Sequence, residues 1–201
     1  MAVKKLVEVW DGKNIIKDNV IFLKQKTKEV INHNSEELKK IKKDLLDTYQ
    51  ATPCAGVAAN QIGYDKRVFI GLKKDDESDD KNNNPIGNPN AENYEFYINP
   101  QIDHYSKKSI QEGEEGCLSI PEIRLVAERF DQIKVRYFNA NGKKIKKPLS
   151  GFLSRLFQHE LDHLDGKLML ENNLIKQVYQ ITENKNIKQL YSNLVQELKS
   201  F

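Results

Sequence analysis

Phe152-Leu153-Ser154-Arg155-Leu156-Phe157-Gln158-His159-Glu160-Leu161-Asp162-His163-Leu164 is the stretch from which the rest of the chain can be read. It reads as a helix whose apolar first half is able to bury it. On a helix, positions i and i+4 share a face, so the imidazoles of His159 and His163 can reach one cation. Glu160 stands one step round from His159, close enough to handle a proton on a water held by that cation. The pair also takes up two of only four histidines in the chain. That weighs a metal site above two unrelated core or surface histidines.

Two histidines do not complete a catalytic site, so the third ligand decides the class. Zinc proteases with an extended motif place a third histidine six residues after the second, and this chain has Met169 there, although Gly166 is where such a motif has its glycine. A downstream glutamate, Glu171 or Glu183, is a weaker alternative. The stronger candidate lies upstream in Glu114-Glu115-Gly116-Cys117-Leu118-Ser119. There a thiolate on a glycine-flanked backbone could approach the cation and leave one position open for water. Alone, Cys117 would read as a small buried hydrophobe. Its place between paired acids and Leu-Ser-Ile-Pro lifts it above that reading.

Outward from the helix, the chain is predicted to be strand-rich. Arg67–Leu72, Tyr94–Ile98, Arg124–Arg129 and Gln132–Phe138 read as strands, the second closed by Asn99-Pro100. Asn141-Gly142 is the strongest hairpin signal, joining Lys134–Asn139 to Lys143–Lys146. Asn34 and Ser35 can cap a helix running to about Tyr49, with Glu36 and Glu37 well placed in its first turn. Residues 14–33 read as an irregular arm, and Lys73–Glu92 as a long exposed loop. Ile187, Leu190, Tyr191, Leu194, Val195 and Leu198 form an apolar helical stripe, read as a face docked on the domain. The expected architecture is one α+β domain over residues 1–201, with antiparallel strands packed around the helix that bears the metal motif.

Composition excludes several classes. With 32 basic and 29 acidic residues the formal net charge is only +3, and the lysines are scattered among acids. No direct nucleic-acid binding is expected. No apolar run is long enough to span a bilayer, and no membrane association is expected. Two cysteines, Cys54 and Cys117, are too few for a disulfide framework, which fits a reducing cytoplasm.

Three segments, in order, resemble the motifs of peptide deformylases. They are Gly56-Val57-Ala58-Ala59-Asn60-Gln61, then Glu115-Gly116-Cys117-Leu118-Ser119, then Gln158-His159-Glu160-Leu161-Asp162-His163-Leu164-Asp165-Gly166. The similarity covers about residues 15 to 170. The 55 residues between Gln61 and Cys117 are similar to the longer, Gram-positive-like members of the family. The resemblance implies a bacterial cytoplasmic enzyme that removes the formyl group from N-formyl-methionyl nascent peptides, with the ribosome as a further candidate partner.

It also implies the roles of individual residues. Cys117, His159 and His163 would hold one divalent cation, iron(II) in the cell, with zinc, nickel or cobalt able to replace it. Glu160 would be the general acid–base. The side-chain amide of Gln61 and the backbone N–H of Leu118 would donate to the developing oxyanion. Gly56, Arg155 and Leu156 would line the pocket for the methionine side chain, Arg155 through its aliphatic stem. One position departs from the family pattern, which has glycine where this chain has Cys54. A closed structural zinc site built from Cys54, Cys117, His159 and His163 is therefore the non-enzyme alternative.

Overall fold

In the computed structural model, residues 3–75, 88–171, 175–181 and 185–198 are described. Two antiparallel sheets and four helices make up this part of the chain. Ser35 caps a helix, α2 (Glu36–Ala51), by accepting a hydrogen bond from the Leu38 N–H at 3.2 Å. The inner face of α2, with Leu38, Ile41, Leu45 and Tyr49, packs on β1 (Gly56–Ala58) and β2 (Val68–Gly71). A short helix, α1 (Lys17–Leu23), breaks the arm that the sequence suggested was irregular. Its Val20 and Leu23 are buried, which supplies the order that its few residues lack alone.

The first sheet runs β1-β2-β3-β6-β7, with β3 at Glu95–Tyr105, β6 at Ile133–Phe138 and β7 at Lys144–Leu149. The predicted Asn141-Gly142 hairpin joins β6 to β7, Phe138 pairing with Lys144. The strand expected to stop at Asn99-Pro100 instead continues to Tyr105 through a break in register. Asn99 takes a left-handed φ of 50° there, and its side-chain amide holds both backbone groups of Val30. A turn signal has been used as a bulge.

The second sheet runs β4-β5-β8, with β4 at Ile110–Cys117, β5 at Ile120–Phe130 and β8 at Ile175–Ile181. Helix α4 (Lys185–Leu198) buries Ile187, Leu190, Leu194 and Leu198 against the apolar face of this sheet, as its stripe predicted. Helix α3 (Gly151–Leu164) packs against both sheets. Phe157, Leu161 and Leu164 sink into the first sheet beside Phe69, Tyr97 and Tyr137. On the other side Gln158 pairs its amide with the backbone of Phe130, and Ser154 Oγ donates to the same carbonyl. The far end is pinned by Arg67, which bonds Pro100 O and Asp165, and by Thr27 Oγ1, which donates to Leu164 O.

Of the expected loop Lys73–Glu92, residues 76–87 lie outside the described part. Its far end is exposed at Pro89 and Glu92 but anchored at one residue. Asn88 is buried, and its amide donates to Tyr49 O and Cys54 O at 2.9 Å each. That ties the end of α2 to the segment entering β1. No helix among the described residues is long and apolar enough to cross a membrane.

Candidate active site

β4 ends at Cys117, which pairs with Ile120 across the two-residue turn Leu118-Ser119. α3 lies beside this turn and presents His159 and His163 one helical turn apart, their ring centroids 5.1 Å from each other. Cys117 Sγ stands 3.2 Å from His163 Nε2. One donor atom from each of Cys117, His159 and His163 falls within 4.8 Å of the other two. Among the described residues no other trio of histidine, cysteine or carboxylate side chains gathers in this way.

Charge favours a cation among them. Burial pushes the Cys117 thiol up, but His163 and His159 beside it pull it down further, to about 5. The sulfur is thus a thiolate, the form that ligates metals. Burial works against the charged form of His159, yet the Cys117 sulfur and Glu115 hold its pKa well above the ordinary value. Glu115 is itself buried. Desolvation raises its carboxyl, and Arg129 and His159 together hold it well below the usual carboxylate range. An ionised Glu115 can only accept, so the 3.0 Å contact with His159 Nδ1 is donated by the ring. With Nδ1–H committed to Glu115, Nε2 is the nitrogen that would take up a cation on loss of its own proton, the usual orientation of a metal-binding imidazole.

Glu160, the next residue on α3, is buried as well. Desolvation raises its carboxyl to about 7, against the opposing pull of His159 and His163. Its Oε2 is buried without a hydrogen-bond partner, an arrangement proteins keep mostly where a ligand satisfies the atom. A sulfur and two imidazole nitrogens therefore converge, and the carboxylate of the residue next to His159 keeps an unpartnered oxygen. That donor set fits a divalent transition metal.

A cavity of about 330 Å³ is lined by Gly56, Gln61, Leu118, Arg155 and Leu156 together with Cys117, His159 and Glu160. Eight of the nine site residues expected from the sequence line this cavity, and the ninth, His163, clusters with Cys117 and His159. Gln61 is buried, its Oε1 accepting from Ala58 N at 2.9 Å while Nε2 lies 3.5 Å from Cys117 Sγ and 3.2 Å from Ser119 Oγ. Gly56 sits hard against the carboxyl of Glu160. A Cβ added there would stand 2.7 Å from Glu160 Oε1 and 2.9 Å from Leu156 Cδ1.

The structure corrects the sequence reading at several side chains. Arg155 does not lend its stem alone: its guanidinium is buried and ion-paired with Glu115. Met169 is a core residue, and Glu171 bonds Lys24 and the Leu168 N–H. Glu183 lies outside the described residues. Cys54 lines the cavity but does not join the donor trio, and burial pushes its thiol up to about 12. Glu115 and Arg129 were missed as site residues, although Glu115 stands two residues from Cys117 in the motif.

Comparison with known proteins shows the family. A family model described as polypeptide deformylase matches residues 12–178. The chain is 33% identical over 175 residues to peptide deformylase of Rickettsia typhi, covering 86% of this chain and 93% of that protein. It is 35% identical over 149 residues to the Thermotoga maritima enzyme, covering 74% and 79%. Among solved structures, the Thermotoga maritima peptide deformylase superposes with a TM-score of 0.66 at 30% identity, covering 86% of this chain and 98% of that one. The Ehrlichia chaffeensis enzyme in complex with actinonin superposes with a TM-score of 0.68 at 26% identity, covering 98% and 99%. The chain belongs to the polypeptide deformylase family.

Proposed function

We infer that this protein is a metal-dependent amide hydrolase that removes the N-formyl group from the amino-terminal formyl-methionine of newly synthesised polypeptides. The observation that carries the reading is the cluster of Cys117, His159 and His163, set against a cavity that Cys117, His159 and Glu160 line.

Cys117, His159 and His163 are the residues that would hold the cation, with α3 as the helix bearing the two histidines. Iron(II) is the ion assigned to the cell, and the sulfur-containing donor set is equally compatible with zinc, nickel or cobalt. When bound, the cation supplies the Lewis acidity that makes a water nucleophilic near neutral pH. Glu160 accepts the proton of that water and returns it to the departing amine nitrogen as the bond between formyl carbon and nitrogen breaks. A carboxyl raised to about 7 is suited to both halves of this transfer. Gln61 Nε2 and the backbone N–H of Leu118 donate to the oxygen that gains charge. Gly56, Arg155 and Leu156 line the pocket for the methionine side chain, and the peptide extends along a strand edge.

We place the whole chain in one catalytic unit, working in the bacterial cytoplasm where nascent chains are met, with the ribosome as a further partner. The interval between Gln61 and Cys117 supports a place among the longer, Gram-positive-like members. The test is mass spectrometry of a formyl-methionyl peptide after incubation with metal-loaded protein. Loss of the formyl group alone, with every peptide bond intact, is expected. Internal cleavage would instead favour a protease.

A further inference from the structure

The cavity that receives the first side chain contains a buried cation. Arg155 is 4% exposed, and its guanidinium lies along the inward-facing row of β4, where Gln111, Gly113, Glu115 and Cys117 alternate toward α3. Nη1 donates to Gly113 O and Glu115 Oε1 at 3.0 Å and to Ala127 O at 3.1 Å, and Nη2 donates to Gln111 O at 3.2 Å. Gly113 makes this possible. A Cβ there would stand 2.9 Å from Arg155 Cζ and Nη2 and 3.0 Å from Nε. A side chain at 113 and the seated guanidinium exclude one another.

Five N–H groups belong to a guanidinium. The Nε–H has no acceptor among the described residues, and it is not a sealed orphan either, since Nε is absent from the fully buried unpartnered atoms. Arg155 lines the cavity beside Gly56, Leu156 and Phe152, whose surfaces are apolar. The pocket thus joins apolar walls to a guanidinium whose charge is matched by Glu115 and which keeps one donor in reserve. An aliphatic tip would leave that donor unpaired, and a charged tip of either sign would be desolvated beside an Arg155–Glu115 pair that is already matched.

Resting on the deformylase reading, we propose that Arg155 is a specificity-determining residue: it donates to an acceptor atom at the tip of the substrate's first side chain, so that the pocket takes uncharged side chains ending in an acceptor. The thioether of methionine is a weak acceptor of this kind, and a terminal amide carbonyl is a strong one.

The test compares formate release from tripeptides that begin with formyl-glutamine and with formyl-norleucine, a near-isostere of methionine without an acceptor. The quantity read is the ratio of their kcat/KM values, because a general loss of activity through Glu115 cancels in it. Arg155→Met should lower the glutamine-to-norleucine ratio about tenfold or more, the worth of one hydrogen bond from a charged donor. Gly113→Ala, which keeps the charge but displaces the guanidinium, should lower it in the same direction and guards against misfolding of the first variant. A ratio that both substitutions leave unchanged overturns the proposal. If wild-type protein releases no formate from a formyl-methionyl peptide, the deformylase reading itself has failed. If it does, and the ratio ignores residues 113 and 155, only the role of Arg155 is lost.

Discussion

His159 Nδ1 lies 3.0 Å from Oε2 of Glu115, an oxygen it shares with Arg129 Nη2. Arg129 Nε and Arg155 Nη1 both donate to Oε1 and so tie the ring to both strands of the β4–β5 hairpin. Arg129 takes Glu115 in two hydrogen bonds of 2.8 and 2.9 Å and reaches on to Asp162 on α3. The orientation of one candidate ligand is therefore set by a buried ionic network.

Replacing Glu115 should disturb both metal affinity and folding. Glu115→Gln removes the charged acceptor behind His159, and a loss of about ten- to a hundredfold in metal affinity is expected. Competition against a chromogenic chelator measures it. The same change takes the counter-charge from buried Arg155 and leaves Arg129 with Asp162 alone, which should cost about 3–5 kcal/mol in denaturant unfolding. Unchanged metal affinity in the folded variant would show that Glu115 does not position the ring.

Gln61→Leu should lower kcat by about two to three powers of ten with a smaller change in KM, as for loss of one oxyanion donor. Some stability should be lost as well, since Gln61 Oε1 accepts the buried N–H of Ala58. Turnover equal to wild type would remove Gln61 from the reaction.

Gly56→Ala tests the close approach of β1 to the general base. The added carbon would stand 2.7 Å from Glu160 Oε1, so the carboxyl or the strand must shift. A fall in kcat/KM of about a hundredfold is expected, with metal content unaltered, since a misplacement near 1 Å is enough for such a loss. Activity within a factor of two of wild type would show that the site has more slack than this contact allows.

The pH dependence of stability should carry a signature of Asp44. Burial of this carboxyl works against ionisation, but the Tyr64 hydroxyl and then Lys4 and Lys40 hold its pKa below the ordinary value. A depressed pKa adds stability that is present above the unfolded value of about 4 and is lost as pH falls through the lower folded one. Thermal melts of Asp44→Asn should therefore run below wild type at neutral pH, and the gap should close in acid. A gap of constant size from pH 7 to pH 2 would contradict the assignment.

What could be read in the sequence was what repeats locally. The four-residue spacing of His159 and His163, the Ser35 cap and the Asn141-Gly142 turn each act within a few residues, and the structure places all three where the spacing says. β4 was not legible as a strand. Its inward row of Gln111, Gly113, Glu115 and Cys117 packs through ion pairs and a glycine gap, so it carries no apolar alternation. Arg129 likewise read as an ordinary strand residue, because its partner Glu115 is fourteen positions away. Asn88, set in a polar loop, has no local mark of its bonds to Tyr49 and Cys54. α1 was missed for a related reason, its Ile16 N-cap offering no side-chain hydrogen bond.

The most direct measurement is formate release from a formyl-methionyl tripeptide by protein loaded anaerobically with iron(II), with Glu160→Gln measured alongside. Rapid release by wild type that the substitution abolishes is the predicted result. No release from protein shown to hold its metal ion, or release that survives loss of the Glu160 carboxylate, would contradict the account.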